Sequence, residues 1–261
     1  MKLPQRIAAL LKGENYRLDQ VGMSRSSVLL FSDRVLKIQE SSEEALREYR
    51  LMDWLQGKLP VPRVLAWEEE DGLCYLLMSR VQGEMACADR YMNDPPAQAA
   101  LLANALKALW AVDATDCPVR CSLAHKLQQA RYNVENHLAD LDNVQPDTFG
   151  EGGFSSPEAL LQWLTDNQPP EEPALTHGDF CLPNVFFSGN SLSGFIDWGR
   201  GGVGDKWNDI ALCYRSLRDN HAGCYGGTPN PRCDDGLLFR ALGLEPDWQK
   251  IRYYILLDEL F

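Results

Sequence analysis

His177-Gly178-Asp179-Phe180-Cys181-Leu182-Pro183-Asn184 carries more information about this chain than any other segment, and Phe195-Ile196-Asp197-Trp198-Gly199 follows it after one short hairpin. Between them, two apolar runs flank the turn Ser188-Gly189-Asn190-Ser191, a pattern typical of paired antiparallel strands. Such a hairpin returns Asp197 towards Asn184. The sequence therefore predicts that Asp179, Asn184 and Asp197 lie close together.

These three side chains suit a phosphoryl-transfer site. Asp179 is the predicted catalytic residue, because its carboxylate can orient a substrate hydroxyl and accept its proton. Asn184 and Asp197 offer hard oxygen ligands to Mg²⁺ on a nucleoside triphosphate, with Asp197 as the main ligand. Asn184 follows Asp179 by five positions, as in the catalytic loop of protein kinases, and Asp197 stands where kinases have the Asp of Asp-Phe-Gly. We expect His177 to hold the loop structurally.

The first eighty residues have the pattern of a small sheet followed by a helix. Val28–Phe31 and Val35–Ile38 are predicted strands joined by a turn. Ser41 with Glu44 three residues later predicts a capping box at the start of the helix. Glu48 falls on the apolar stripe of that helix, where an unpaired carboxylate would be destabilising. Lys37, in the preceding strand, is its predicted partner, which matches the kinase lysine that contacts the α and β phosphates and the helix glutamate that holds it.

On these motifs, on the stretch Asp205 to Arg218 and on the acidic segment Tyr253 to Phe261, the chain resembles the aminoglycoside 3′-phosphotransferases over nearly its whole length. The resemblance implies an α+β, bilobal protein-kinase-like fold. A small antiparallel-sheet N-lobe with one helix would span residues 1–80, and a larger, mostly helical C-lobe residues 81–261. It further implies transfer of the γ-phosphate of ATP, with Mg²⁺, to the 3′-hydroxyl of kanamycin- or neomycin-type antibiotics, which confers resistance.

Other functions are open on parts of the evidence. The catalytic-loop pattern alone also suits choline, homoserine or fructosamine kinases, whereas the acidic segment at residues 258–261 favours the aminoglycoside group. A non-catalytic nucleotide-binding regulator is disfavoured because the complete set of kinase-like polar residues is present. Gly199–Gly204 spells Gly-x-Gly-x-x-Gly, but the strand before it belongs to a hairpin and not to a parallel βαβ unit, so a dinucleotide site is disfavoured.

The resemblance also implies contacts with the nucleotide. Met23 and Ser24 stand where kinases place a phosphate-covering loop. Met78, Ser79 and Val81 stand at the linker between the lobes, which supplies groups to adenine in the family. Lys37 and Glu48 complete the predicted nucleotide site.

A substrate that carries several ammonium groups calls for a cleft lined by carboxylates. Asp258, Glu259 and the α-carboxylate of Phe261 match the substrate contacts of the family, and Asp147 and Glu151 are predicted to form the opposite wall. Arg200 and Arg215 match family positions near the active site, where a guanidinium organises carboxylates or screens charge. Asp209 matches a carboxylate that ties the catalytic loop. The Gly/Pro-rich segment 222–235 is expected to reshape one rim of the cleft.

Bulk properties agree with this interpretation. The net charge of −12 argues against a nucleic-acid partner and is compatible with a polycationic small substrate. No apolar run approaches the about 20 residues of a membrane span, and the first residues lack the pattern of a signal peptide. We therefore expect a cytoplasmic enzyme with no membrane association and no obligate protein partner. Eight cysteines without a Cys-x-x-Cys motif indicate neither a zinc ribbon nor a disulfide framework.

Overall fold

An antiparallel sheet dominates the first eighty residues of the computed structural model, which describes residues 3–18, 26–141 and 144–261. Its strands are β1 (Arg17–Leu18), β2 (Ser27–Leu30), β3 (Arg34–Glu40), β4 (Val64–Glu70) and β5 (Leu73–Ser79). They lie in the order β1-β2-β3-β5-β4, and every neighbouring pair is antiparallel. The predicted strand pair is confirmed. Because β3 lies between β2 and β5, its residue Lys37 is held in register on both sides.

Two helices accompany this sheet, where one was predicted. The unpredicted helix α1 (Gln5–Leu10) packs Ile7 against one face of the sheet. Helix α2 (Glu43–Trp54) begins at Ser42, whose hydroxyl accepts from the N–H of Ala45 at 3.1 Å. The predicted capping box from Ser41 to Glu44 is therefore wrong by one residue. The N–H of Ser41 still donates to the carbonyl of Gly72 at 2.9 Å, so Ser42 is the first serine beyond the sheet.

The remainder of the chain is mainly helical. Its helices are α3 (Asp89–Met92), α4 (Pro95–Trp110), α5 (Leu123–Glu135), α6 (Pro157–Asp166), α7 (Lys206–Ala222), α8 (Leu237–Leu242) and α9 (Trp248–Asp258). Its short strands are β6 (Glu84–Met85), β7 (Pro173–Thr176), β8 (Val185–Ser188), β9 (Ser191–Phe195) and β10 (Gly202–Asp205). They form a three-stranded sheet in the order β6-β8-β9 and a two-stranded sheet of β7 and β10. This mixed architecture confirms the predicted fold class, while the predicted lobe boundary at residue 80 stays a prediction.

The predicted hairpin is confirmed, because strands β8 and β9 pair antiparallel. Helix α7 begins at Asp205, whose carboxylate accepts from the N–H of Trp207 at 3.1 Å. It ends at Gly223 in the left-handed conformation, and residues 224–236 form only turns and irregular backbone before α8. The second half of the glycine-rich run lies in strand β10, which pairs antiparallel with β7, so the run has no parallel βαβ context.

Two apolar clusters hold these elements together. The smaller one lies between α1 and one face of the five-stranded sheet, around Leu36 and Leu77. The larger one runs from α2, through Leu51 and Met52, into the helices that surround the catalytic segment. Since α2 contributes to the larger cluster, it packs on both the sheet and the helical part. Among the described residues, no helix is both long and apolar enough to cross a membrane, and all eight cysteines are free thiols.

Candidate active site

The catalytic segment begins where β7 ends, and two backbone bonds to one carboxylate fix its first turn. Asp209, fully buried on α7, accepts from the N–H of His177 at 2.6 Å and from the N–H of Gly178 at 2.9 Å. Burial raises the pKa of Asp209, against the opposing effects of His177 and of these two N–H groups. This is the tying carboxylate that the resemblance implied. It fixes the backbone immediately before Asp179.

Gly178 allows the close approach that this turn requires. Its φ is +86°, and a Cβ at this position would lie 1.9 Å from the carbonyl oxygen of Arg200. The segment after Asp197 therefore packs directly on the catalytic loop. His177 is buried beneath it, and its Nε2–H donates to the carbonyl of Ile196 at 2.9 Å. The expected structural position of His177 is confirmed.

Asp179 and Asn184 are in direct contact. The side-chain Nδ2 of Asn184 donates to the carbonyl oxygen and to Oδ2 of Asp179, both at 3.0 Å. Asn184 is buried and Asp179 is half-buried. With Nδ2 engaged in this way, the amide oxygen of Asn184 is the side-chain atom that could bind a cation.

The hairpin brings Asp197 to the same place. The N–H of Ile196 donates to the carbonyl of Asn184 at 3.0 Å. The residue directly before Asp197 is therefore bonded to the backbone of Asn184, the other predicted metal ligand. Asp197 has a φ of +64°, a left-handed conformation that is uncommon for a residue other than glycine. Such conformations persist where the surrounding structure imposes them, and they cluster at functional sites. The predicted convergence of Asp179, Asn184 and Asp197 is confirmed.

Lys37 links this group to helix α2. Its ammonium donates to Glu48 Oε2 at 2.9 Å and to Asp197 Oδ1 at 3.0 Å. Burial alone would lower the pKa of Lys37, but the carboxylates of Glu48 and Asp197 outweigh it and raise that pKa. Burial alone would raise the pKa of Asp197, but Lys37 outweighs this effect, so the net pKa of Asp197 is lowered. The predicted Lys37–Glu48 pair is confirmed as a buried contact, in which burial raises the pKa of Glu48 and Lys37 opposes that shift.

The oxygen donors here fit a magnesium ion that is also bound by phosphates. In the described part of the chain, no three His, Cys, Asp or Glu side chains form a metal-binding group. Mg²⁺ in nucleotide sites is usually held by one or two protein oxygens, with the rest of its shell from phosphates and water. Asn184 and Asp197 supply such a pair.

The predicted adenine linker follows β5. Met78 is buried in the larger apolar cluster. The N–H and the hydroxyl of Ser79 are both engaged by the backbone of Arg63. The Ser79 N–H donates to the Arg63 carbonyl at 2.9 Å, and the Ser79 hydroxyl accepts from the Arg63 N–H at 2.8 Å. The side chain of Val81 packs against Gly194. The two predicted contacts in the phosphate-covering loop, Met23 and Ser24, lie outside the described residues.

Among the predicted substrate residues, Asp258 is bound by two arginines. Its Oδ1 accepts from Arg200 Nη1 at 2.9 Å and its Oδ2 from Arg215 Nη2 at 2.6 Å. Burial raises the pKa of Asp258, but Arg215 and then Arg200 outweigh it, so the net pKa is lowered. Both arginines therefore contact a carboxylate, while their predicted place in the substrate site stays a prediction. Both oxygens of Asp258 are engaged with guanidinium groups, so this carboxylate is less available to a substrate than predicted.

Among the described residues, Glu259, unlike Asp258, accepts a hydrogen bond through only one of its carboxylate oxygens. It is 5% exposed, its Oε2 accepts from the N–H of Gln145 at 3.0 Å, and its buried Oε1 has no hydrogen-bond partner among the described residues. The nearest cation, Arg215 Nη1, lies 4.0 Å from that oxygen. Burial raises the pKa of Glu259 to about 7 and outweighs the lowering by Gln145 and Arg215, while Asp258 and Asp147 add smaller raising effects. Among the described residues, Oε1 of Glu259 is an unused acceptor.

The remaining predicted substrate residues are Phe261, Asp147 and Glu151. The guanidinium of Arg200 lies 5.0 Å from the ring centre of Phe261. Asp147 and Glu151 are exposed on the loop that follows α5. The charge of Asp147 contributes to the raised pKa of Glu259, whereas the predicted wall formed by Asp147 and Glu151 stays a prediction.

Sequence reasoning missed one carboxylate in this region. Asp219, buried on α7, accepts from Arg218 Nε at 2.8 Å and from Gln145 Nε2 at 3.0 Å. It lies one helical turn after Arg215, so the i, i+4 spacing from a predicted site residue was the signal that could have found it. Gln145 joins it to Glu259 through its backbone N–H.

Comparison with known proteins agrees with this geometry. The model of the Phosphotransferase enzyme family matches residues 15–254. An aminoglycoside 3′-phosphotransferase of Enterococcus faecalis is 39% identical over 263 residues, which covers 95% of each chain. The chain belongs to the aminoglycoside 3′-phosphotransferase family. A second aminoglycoside 3′-phosphotransferase, of Staphylococcus aureus, is 38% identical over 95% of each chain.

The fold of this aminoglycoside 3′-phosphotransferase family member is shared with solved structures. The crystal structure of an aminoglycoside-3′-phosphotransferase of type VIII superimposes with a TM-score of 0.81 at 28% identity, covering 98% of this chain and 97% of the other. A likeness of this extent includes the sheet, α2 and the helical part together. The kinase-like fold expected from the sequence is therefore confirmed.

Proposed function

We propose that this protein transfers the γ-phosphate of ATP to the 3′-hydroxyl of aminoglycoside antibiotics and thereby confers resistance to them. The observation that carries the proposal is the contact of Asp179, Asn184, Asp197 and Lys37 in a chain whose full-length relatives are named aminoglycoside 3′-phosphotransferases. Their names favour this substrate class over the choline, homoserine and fructosamine alternatives.

Lys37 is the proposed grip on the nucleotide phosphates. Its ammonium is held between two carboxylates and stays charged, because they raise its pKa. Glu48 fixes it from the buried side, so the charge is positioned before the nucleotide arrives. Val81 is the proposed main adenine contact, since the N–H groups of Ser79 and Arg80 are occupied by Arg63 and Asp33. Met78 would contact the adenine from the same side as Val81. Contacts from Met23 and Ser24 stay predictions.

Asn184 and Asp197 are the proposed ligands of Mg²⁺. When bound, this cation neutralises the negative charge of the phosphates during transfer. The left-handed backbone of Asp197 and the hydrogen bonds of Asn184 hold both side chains in fixed directions. The protein thus contributes positioned oxygen donors at the junction of the sheet and the helical part.

Asp179 is the proposed catalytic residue on the acceptor side. It accepts a hydrogen bond from Asn184 through Oδ2, which orients its carboxylate. In this orientation Asp179 would align the 3′-hydroxyl and take its proton as the new O–P bond forms. Phosphoryl transfer passes through a loose transition state, so alignment and charge neutralisation contribute more than base strength.

The acceptor is a polycation, and the chain offers carboxylates for it. Glu259 is the proposed principal contact because its Oε1 has no hydrogen-bond partner among the described residues and an ammonium would favour its ionised form. Asp147 and Glu151 would contribute from the loop after α5, and Phe261 from the opposite side. In this proposal Arg200 and Arg215 act through Asp258, holding the segment that carries Glu259. The net charge of −12 would steer the polycation towards the protein.

We further propose that the enzyme acts in the cytoplasm, where ATP is available, and requires no nucleic acid, membrane or protein partner.

An ATP-turnover assay of the purified protein tests the proposal. Kanamycin or neomycin should stimulate ADP production, and choline and homoserine should not. Asp179→Asn should lower kcat by about 100-fold or more, the size of a lost general base, with nucleotide affinity unchanged. Asp53→Asn, an exposed aspartate on α2, serves as the matched control and should behave as the unaltered protein. Turnover stimulated by choline but by no aminoglycoside would refute the substrate class.

A further inference from the structure

Helix α2 carries the glutamate that positions Lys37, so the placement of this helix determines the grip on the nucleotide. On one side, α2 packs on the sheet, where Tyr49 stacks on Trp67 with ring centres 4.9 Å apart. Separate contacts hold α2 against the helical part.

One of these contacts is the close packing of α2 on the segment that follows Asp197. A methyl group added at Gly199 would lie 2.8 Å from Glu44 Oε1, and one added at Gly201 would lie 2.7 Å from Leu51 Cδ2. Glu44, Glu48 and Leu51 are spaced by four and three positions and so share one helical face. That face contacts both Lys37 and the backbone just beyond the predicted metal ligand.

Arg47, next to Glu48, makes the directional contacts. Its Nη1 contacts Nε2 of His125 on α5, and its Nη2 donates to the carbonyl of Arg120 at 3.1 Å. Residues 119–121 are themselves bonded to β10, since the N–H of Val203 donates to Val119 and the N–H of Cys121 donates to Val203. The guanidinium thus connects α2 to backbone that is paired with the strand after the Asp197 segment.

We propose that Arg47 and His125 are positioning residues that tie α2 to the helical part, so that Glu48 holds Lys37 ready for the nucleotide phosphates. The inference rests on the proposed kinase function. Arginine has no acceptor and remains protonated, so His125 must present an unprotonated Nε2 to it. The tie therefore requires a neutral imidazole.

The charged groups around His125 favour this neutral form. Burial lowers its pKa, Arg47 from α2 lowers it further and Lys126 from α5 adds to this effect, whereas Glu43 from α2 opposes it. With the pKa below its ordinary value of 6.5, the contact is complete at neutral pH. It is lost as the pH falls through the lowered pKa, because two cations would then face each other.

Equilibrium binding of a fluorescent ATP analogue to the intact protein tests the inference. Arg47→Met should weaken nucleotide binding at pH 7.5 by at least about fivefold, the lower end of typical coupling between elements, and leave aminoglycoside affinity unchanged. Arg50→Met is the matched control, because Arg50 is exposed on the same helix. It should bind as the unaltered protein does.

His125→Gln separates positioning from simple loss of stability. The glutamine oxygen still accepts from Arg47 but does not titrate, so this variant should bind normally at pH 7.5. It should also show a smaller loss of nucleotide affinity than the unaltered protein between pH 7 and pH 5.5, since protonation of the nucleotide itself is common to both. Normal nucleotide binding by Arg47→Met, or identical pH profiles for His125→Gln and the unaltered protein, would overturn the inference. If the unaltered protein bound no nucleotide, the proposed function itself would be overturned.

Discussion

Glu48→Gln probes the buried ion pair that fixes Lys37. Glu48 is 1% exposed, and its Oε2 lies 2.9 Å from the Lys37 ammonium and 3.4 Å from Gln39 Nε2. Removing one partner of a buried pair usually lowers the free energy of unfolding by about 3–5 kcal/mol. Two features reduce this value here. The amide oxygen still accepts from Lys37, and Asp197 stays 3.0 Å away as a counter-charge. We expect a loss of about 2 kcal/mol, the size of one hydrogen bond to a charged group.

The same substitution should impair the use of ATP specifically. Without the negative charge of Glu48, Lys37 is drawn towards Asp197, away from the position proposed for phosphate binding. We expect kcat/KM for ATP to fall by about tenfold or more, which corresponds to about 1.4 kcal/mol, with an unchanged KM for the aminoglycoside.

Urea unfolding and steady-state kinetics measure the two effects on one preparation. Glu70→Gln is the matched control, because Glu70 is exposed at the end of β4, and its free energy of unfolding should change by less than about 0.5 kcal/mol. If Glu48→Gln matched this control in both stability and kcat/KM for ATP, the reasoning about the buried pair would be refuted.

Two further predictions concern the catalytic turn and the substrate side. Gly178→Ala should lower the free energy of unfolding by about 3 kcal/mol or more, because it combines left-handed strain with a Cβ 1.9 Å from a backbone oxygen. Gly226→Ala, with a similar φ of +90° and open space, should cost only about 1–2 kcal/mol in urea unfolding, and equal losses would contradict the packing argument. Because Glu259 has a pKa of about 7, the KM for an aminoglycoside should fall between pH 6 and pH 8 as the carboxylate ionises. Glu259→Gln should lack this pH dependence, and a variant with the unaltered profile would exclude Glu259 as its source.

Local patterns predicted much of the fold and the centre of the site. The hairpin between Asn184 and Asp197 follows from two apolar runs and one turn, and that alone brings the two oxygen donors together. The Lys37–Glu48 pair could be predicted because a carboxylate on an apolar helical stripe requires a partner. One local inference failed. Two adjacent serines precede α2, and which of them caps the helix depends on how far the sheet bonding extends.

The substrate side depended on the tertiary structure. Composition and the segment 258–261 indicated carboxylates for a cation, but not which of them is free. Arg200 and Arg215 are 58 and 43 positions away from Asp258 in the chain, yet both bind it, while adjacent Glu259 keeps an oxygen that is unpaired within the described part of the chain. The sequence by itself thus determined which chemical groups this protein has and the local turns that present them. Only the three-dimensional packing decided which charges neutralise each other, because ion pairing depends on distances between elements that are remote along the chain.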